Sequence, residues 1–202
     1  MNNKILRQLK ELERLGSKIR LAAEEWDKPW KILIATIMSA RTRDEVTIPT
    51  AEKLFLKYDS VEKLANANLN DIMEVIKPVN FYKNKSKNVL NCAKFLVEKY
   101  NGNPPLNIEK LIELPGVGRK TANVFLSEVG KPGLGVDVHV FRIARKIGWS
   151  SSAHPHKVEE DLKKLFPKKY WVKINPILIR FGKTYTKKKV LDELLNKIKE
   201  IN

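Results

Sequence analysis

Two residues of this 202-residue chain stand where a side chain could do covalent chemistry. Lys120 follows the turn in "ELPGVGRKTANVF" (113–125), and Asp137 opens "VDVHVFR" seventeen residues later. Free lysine has a pKa of about 10.4, so roughly one in a few thousand is a neutral amine at pH 7. A place at a helix N-terminus beside Arg119 would penalise the ammonium form, and partial burial would penalise it further, so the amine could become a usable nucleophile. The plain alternative, among so many lysines, is a solvated cation. Asp137 alone reads as a helix cap. A lysine opening one helix and an aspartate opening the next could instead converge on one cleft, where the carboxylate faces a developing positive charge. His139, between them and the chain's later cations, reads as a helix residue with no catalytic role.

The turn ahead of Lys120 has a chemistry of its own. Gly116 and Gly118 allow positive φ and leave no side chain between the backbone and whatever approaches it. Free backbone N–H groups there, with the positive end of the following helix dipole, make a site for one phosphate oxygen. An ordinary turn between packed helices is the competing reading.

The elements that must hold these residues are helices. Apolar residues recur at helical spacing at Ile5, Leu9 and Leu12, at Leu54, Phe55 and Tyr58, at Val89, Leu90, Ala93, Leu96 and Val97, and at Leu191, Leu194, Leu195 and Ile198. Breaks fall at "DKP", "YDS", "NANLN", "NGNPP", "PGVG", "GKPGLG" and "SSAHP". "NIEKLIEL" predicts a short helix before the turn and "RKTANVFLSEVG" a second one after it. Val136, Val138 and Val140 alternate as a strand would, but Val140, Ile143, Ala144 and Ile147 fit a helix that Asp137 would cap, and helix is the prediction. The chain therefore reads as all-α, about ten helices on short loops.

Composition narrows the partners. Lys and Arg number 39 against 23 Asp and Glu, a formal charge of +16 with a pI near 9.8. That excess predicts a polyanionic partner, nucleic acid first, unless the cations serve only solubility. Cys92 is the sole cysteine, so an intrachain disulfide, a structural cysteine zinc site and an all-cysteine iron–sulfur cluster are excluded. The opening "MNNKILRQLKELERLG" is charged throughout, and runs such as "ILIATIM" are too short to span a bilayer, so an intracellular protein without membrane association is expected.

"LPGVGRKTANV" followed by "VDVHVFR" resembles the helix-hairpin-helix DNA glycosylases, and within them the endonuclease III group. The likeness runs from about Trp30 to Lys183, through "ILIATIMSARTRDEVT", "FYKNKSKNVLNCAKFLVEKYNGNPP" and "LFPKKYWVKINPILIRFGK". It implies two helical lobes with a DNA-binding cleft between them. Residues 22–131 would form a six-helix lobe ending in the helix-hairpin-helix at 107–130, and 1–21 with 132–202 a second, discontinuous lobe.

The resemblance also assigns roles. The Lys120 amine would attack C1′ of a damaged nucleoside, displace the base and break the strand by β-elimination from a Schiff base, with Asp137 assisting the nucleophile and stabilising the sugar cation. This implies a bifunctional glycosylase and abasic-site lyase of base excision repair, acting as a monomer on double-stranded DNA with a damaged base, an oxidised pyrimidine first, or an abasic site. A uracil or thymine glycosylase at mismatches with guanine, a lyase acting mainly on abasic sites, and a non-catalytic helix-hairpin-helix clamp stay open. Gly116, Val117, Gly118 and Arg119 would hold phosphate. Arg41, where the group usually has glutamine, and Phe81, where it often has leucine, would enter the base stack, and Asp44 would lie at the same interface. The alternatives are a phosphate contact for Arg41, a core position for Phe81 and a helix cap for Asp44. Asn80 replaces a usual glycine before Phe81. Backbone carbonyls of Ile112, Leu114 and Val117 would hold a Na+ or K+ ion, and no cofactor is required. Where many members carry a four-cysteine cluster this chain reads "FGKTYTKKKVLDELLNKIKEIN", with Thr186 near the first cysteine position and a closing helix that begins at Lys187, Lys188 and Lys189.

Overall fold

The computed structural model describes residues 3–201. Among these residues the regular structure is helical: α1 (Asn3–Leu15), α2 (Pro29–Ser39), α3 (Asp44–Lys57), α4 (Val61–Ala65), α5 (Leu69–Ile76) and α6 (Tyr82–Tyr100) come first. They are followed by α7 (Ile108–Leu111), α8 (Arg119–Glu128), α9 (Val138–Lys146), α10 (Pro155–Leu165), α11 (Trp171–Thr184) and α12 (Lys188–Glu200). A single 3-10 turn, Lys168–Tyr170, leads into α11. The all-α reading holds. Twelve helices rather than about ten arise because α4 and α7 have only five and four residues, too short to leave a repeating apolar stripe.

The chain folds as two compact units, Arg20–Lys131 and Met1–Ile19 with Pro132–Asn202. In the first, "ILIATIM" becomes the centre of the core. Trp30 and every residue from Ile32 to Met38 in α2 is buried, the signature of a helix covered on all sides. Pro29 starts that helix, where a missing N–H costs nothing. α3, α6 and α8 pack around it. Phe55 of α3 meets Trp26 and Trp30 edge to face, with ring centroids 4.9 and 5.3 Å apart.

The second unit has its own core, made by α1 and α9–α12. α12 lies where the resemblance expects cluster ligands, and its Leu191, Leu195 and Ile198 are buried. Each such side chain contributes about 1.5–3 kcal/mol of apolar burial. Gln8 of α1 fixes the end of that helix: its buried amide donates to the carbonyls of Ile198 and Lys199, both at 3.2 Å, and accepts from the Trp149 indole at 2.8 Å. A buried glutamine with all three bonds made adds a donor to the Lys199 carbonyl at the end of α12 and a second one to that of Ile198, which also accepts from the Ile201 amide. α9 and α11 approach closely because position 182 is glycine; a Cβ there would run into the His139 imidazole. His139 thus packs against Gly182.

Candidate active site

The hairpin is built from its turn outward. Asn107 caps α7 by accepting from the Lys110 amide at 3.0 Å. The helix stops at Leu111, short of the predicted "NIEKLIEL" span, because the chain then tightens through Leu114 N to Leu111 O (3.1 Å) and Val117 N to Leu114 O (3.0 Å). Gly116 turns the corner at φ +79°, and a Cβ on it would lie 2.8 Å from Cβ of Asn88 on α6. Glycine is required there twice, for the backbone and for the neighbour. Gly118 differs from the expectation of positive φ. It is extended (φ −91°, ψ 174°), accepts the first α8 bond from Ala122 at 2.9 Å, and has nothing within 4 Å of where a Cβ would stand. Its value is the open space it leaves over the start of α8.

α8 carries no acidic residue in its first turn and no side-chain cap, and it opens instead with Arg119 and Lys120. Its residues 121–126 are all buried, so the first turn is anchored by the core. Arg119 is exposed and Lys120 half-buried. The Lys120 amine makes no hydrogen bond or ion pair with any described residue. An uncompensated positive helix end, an amine without a partner among the described residues and an open approach over Gly118 stand together within three residues.

Asp137 caps α9, accepting from the Val140 amide at 2.9 Å, which resolves the strand-or-helix choice in favour of helix. Val140, Ile143 and Ala144 face the core, whereas Val138, next to the cap, is 76% exposed. The carboxylate therefore stands at the solvent edge of its unit with one oxygen committed.

Arg41 and Phe81 lie together, one just after α2 and the other at the N-cap position of α6. Both adopt left-handed backbone, φ 56° and 59°. Phe81 is 60% exposed and so is not a core residue, and the Arg41 guanidinium carbon lies 5.7 Å from its ring centroid. Asp44 is the first residue of α3, with Arg43 at the cap position; its carboxylate accepts from the Ala22 amide at 3.3 Å and ties the loop before α2 to α3. The capping role considered for it is thus replaced by a tertiary one.

Asn88 and Lys85 are not apparent from motif reading, and Asn80 is apparent only as a missing glycine. Asn88 supports the Gly116 corner. Asn80, which replaces a usual glycine, donates from its side chain to the Arg41 carbonyl at 2.6 Å. Lys85 is buried beneath both loops, donating to the carbonyls of Met38 and Ala40 and to the Thr42 hydroxyl, and burial pushes its pKa down to about 8. A signal for Lys85 exists: it sits in register with Val89, Cys92 and Leu96 on the buried stripe of α6, where a lysine needs acceptors. Cys92 on that stripe is buried, and burial pushes its thiol up to about 12. Lys187, Lys188 and Lys189 are exposed.

A glycine-cornered helix-hairpin-helix within an all-helical chain defines the class, and comparison with known proteins specifies it. Residues 34–168 match the HhH-GPD superfamily of base excision DNA repair proteins. Endonuclease III of Thermotoga maritima is 44% identical over 161 residues, which cover 79% of this chain and 75% of that protein. Endonuclease III of Synechocystis sp. is 35% identical over 161 residues, 79% of this chain and 74% of its own length. The solved structure of a trapped endonuclease III–DNA covalent intermediate, an estranged-adenine complex, superposes with a TM-score of 0.83 at 31% identity, over 93% of this chain and 89% of that one. The chain belongs to the endonuclease III family of the HhH-GPD superfamily. No described helix is long and apolar enough to cross a membrane.

Proposed function

We propose that this protein is a DNA N-glycosylase and abasic-site lyase of base excision repair that acts on double-stranded DNA, with Lys120 as nucleophile. The observation that carries the proposal is the Lys120 amine itself, half-buried and without a partner among the described residues at the uncompensated N-terminus of α8. The amine adds to C1′ as the N-glycosidic bond breaks, and the base leaves with the electron pair and takes a proton. Opening of the sugar ring gives the iminium; loss of a C2′ proton then expels the 3′ phosphate, and water releases the enzyme. The sequence is not a redox reaction, so it needs no redox cofactor. Asp137, with one oxygen held by the Val140 amide, would stabilise the positive charge that develops on the sugar.

The phosphate backbone would be held by the Gly116–Arg119 turn, where α8 has no side-chain cap and nothing lies within 4 Å of where a Cβ on Gly118 would stand. A Na+ or K+ ion fits the hairpin carbonyls. Those of Ile112 and Val117 accept no hydrogen bond from a described residue, and that of Leu114 accepts one. Such an ion would neutralise charge between the turn and a DNA phosphate. Among bases we propose oxidised or reduced pyrimidines as the substrate class.

Incubating the protein with an abasic-site duplex and borohydride tests the reading. The wild type is expected to form a covalent protein–DNA adduct and Lys120→Ala none. An undamaged yield in the variant would move the nucleophile elsewhere, and a wild type that binds but never traps would leave a phosphate clamp.

A further inference from the structure

We propose that Asn80 is a positioning residue that couples the loops bearing Arg41 and Phe81 into one preassembled wedge for duplex DNA. The inference rests on the repair-enzyme reading above, and goes beyond it in assigning a task to a residue that has no part in the proposed chemistry.

Two non-glycine residues in left-handed backbone, one on each loop, are the starting point. L side chains rarely adopt that conformation, and it persists where the surroundings over-determine it. Here the surroundings are five hydrogen bonds, all running from segment 80–85 to segment 38–42. Lys85 supplies three from below and holds the end of α2. Asn80 supplies the other two from the side: its amide N–H to the Thr42 hydroxyl at 3.2 Å and its side-chain Nδ2 to the Arg41 carbonyl at 2.6 Å. Only the last reaches Arg41 itself, and only it depends on the Asn80 side chain.

The frame sets what the two loops present. Phe81 stands at the N-cap position of α6 with its ring outside the core although Val79 is buried, and the Arg41 guanidinium lies over that ring. An exposed aromatic and a cation that meet before any ligand arrives lose less freedom on entering a base stack than two independent side chains would. A glycine at position 80 would leave the Arg41 carbonyl without its donor, and the loops would be coupled only through the position-80 amide on Thr42 and through buried Lys85.

Asn80 is exposed, so its variants leave the core untouched. Asn80→Ala removes the bond, and Asn80→Asp keeps the shape but cannot donate. On an abasic site within a duplex, both are expected to lower the single-turnover strand-cleavage rate by about threefold to tenfold, the weight of one neutral hydrogen bond. On an abasic site in single-stranded DNA, which needs no wedge, neither is expected to change it. In an Arg41→Ala/Phe81→Ala background, Asn80→Ala should add less than about twofold. Equal losses on both substrates, full activity on the duplex, or an additive effect in that background would overturn the proposal. If the wild type cleaves neither substrate, the catalytic reading fails while the wedge is still scored: 2-aminopurine opposite the abasic site should brighten on binding, less so with Asn80→Ala, and identical brightening would overturn the coupling.

Discussion

Asp137 holds two tasks on one carboxylate, and a single substitution separates them. One oxygen caps α9 through the Val140 amide. Asparagine caps a helix about as well as aspartate, so Asp137→Asn should leave the melting temperature within about 2 °C of wild type. It removes the negative charge that our reading sets beside the sugar cation, and lesion cleavage should fall by roughly 10² to 10³-fold, the usual loss for one electrostatic stabiliser. Unchanged cleavage with unchanged stability would reduce Asp137 to its cap. Lys120 and Asp137 could be picked out from sequence because each opens a helix beside a motif that has a chemical meaning of its own. Lys85 could not be picked out that way. Its function comes from three acceptors at the end of α2 and in the loop after it, some forty residues earlier, and only the packing of α6 against α2 brings them within reach.

Among the elements, the hairpin turn makes a sharp contrast between its two glycines. Gly116→Ala forces an alanine into φ near +79° and its Cβ to 2.8 Å from Asn88, so strain and overpacking together should cost about 2–4 kcal/mol. Gly118→Ala meets nothing within 4 Å and sits at φ −91°, so its unfolding free energy should stay within about 0.5 kcal/mol. Its methyl would nevertheless stand over the α8 N-terminus, and affinity for duplex DNA should fall. Urea unfolding and binding titrations on the pair check both halves; equal stability losses would show that the two glycines serve one purpose. Long amphipathic helices such as α6 and α12 were readable because their stripes repeat over three turns or more. α7 was overextended to 114 for the opposite reason: four residues carry no period, and the hydrogen bonds of the turn end the helix. The usual glycine missing at position 80 was visible in the sequence; that an asparagine there would reach the Arg41 carbonyl depends on how two loops far apart in the chain fold together.

Charge is a property of the whole molecule, and it sets how the chain meets its substrate. With a formal +16 spread over 202 residues, the protein carries far more cation than solubility requires. Ion pairs such as Lys63–Asp59 at 2.9 Å and Lys157–Glu160 at 3.2 Å are exposed and contribute little. Composition alone could state the excess; it could not say whether the excess is used, because the same lysines would keep an unrelated protein in solution. Salt dependence decides. If about six phosphates are neutralised on docking, affinity for a lesion duplex should drop by roughly 10³-fold between 50 and 200 mM salt, with a log–log slope near −5. If Lys187, Lys188 and Lys189 at the head of α12 belong to that docking face, replacing all three with glutamine should flatten the slope by about 2 to 3. A wild-type affinity that ignores salt would mean the cations do not meet phosphate, and recognition would have to rest on the hairpin turn and the Arg41–Phe81 pair alone. A steep slope that the triple variant leaves unchanged would instead confine docking to other cations and assign α12 to stability, where Gln8 and the buried Leu191, Leu195 and Ile198 already place it.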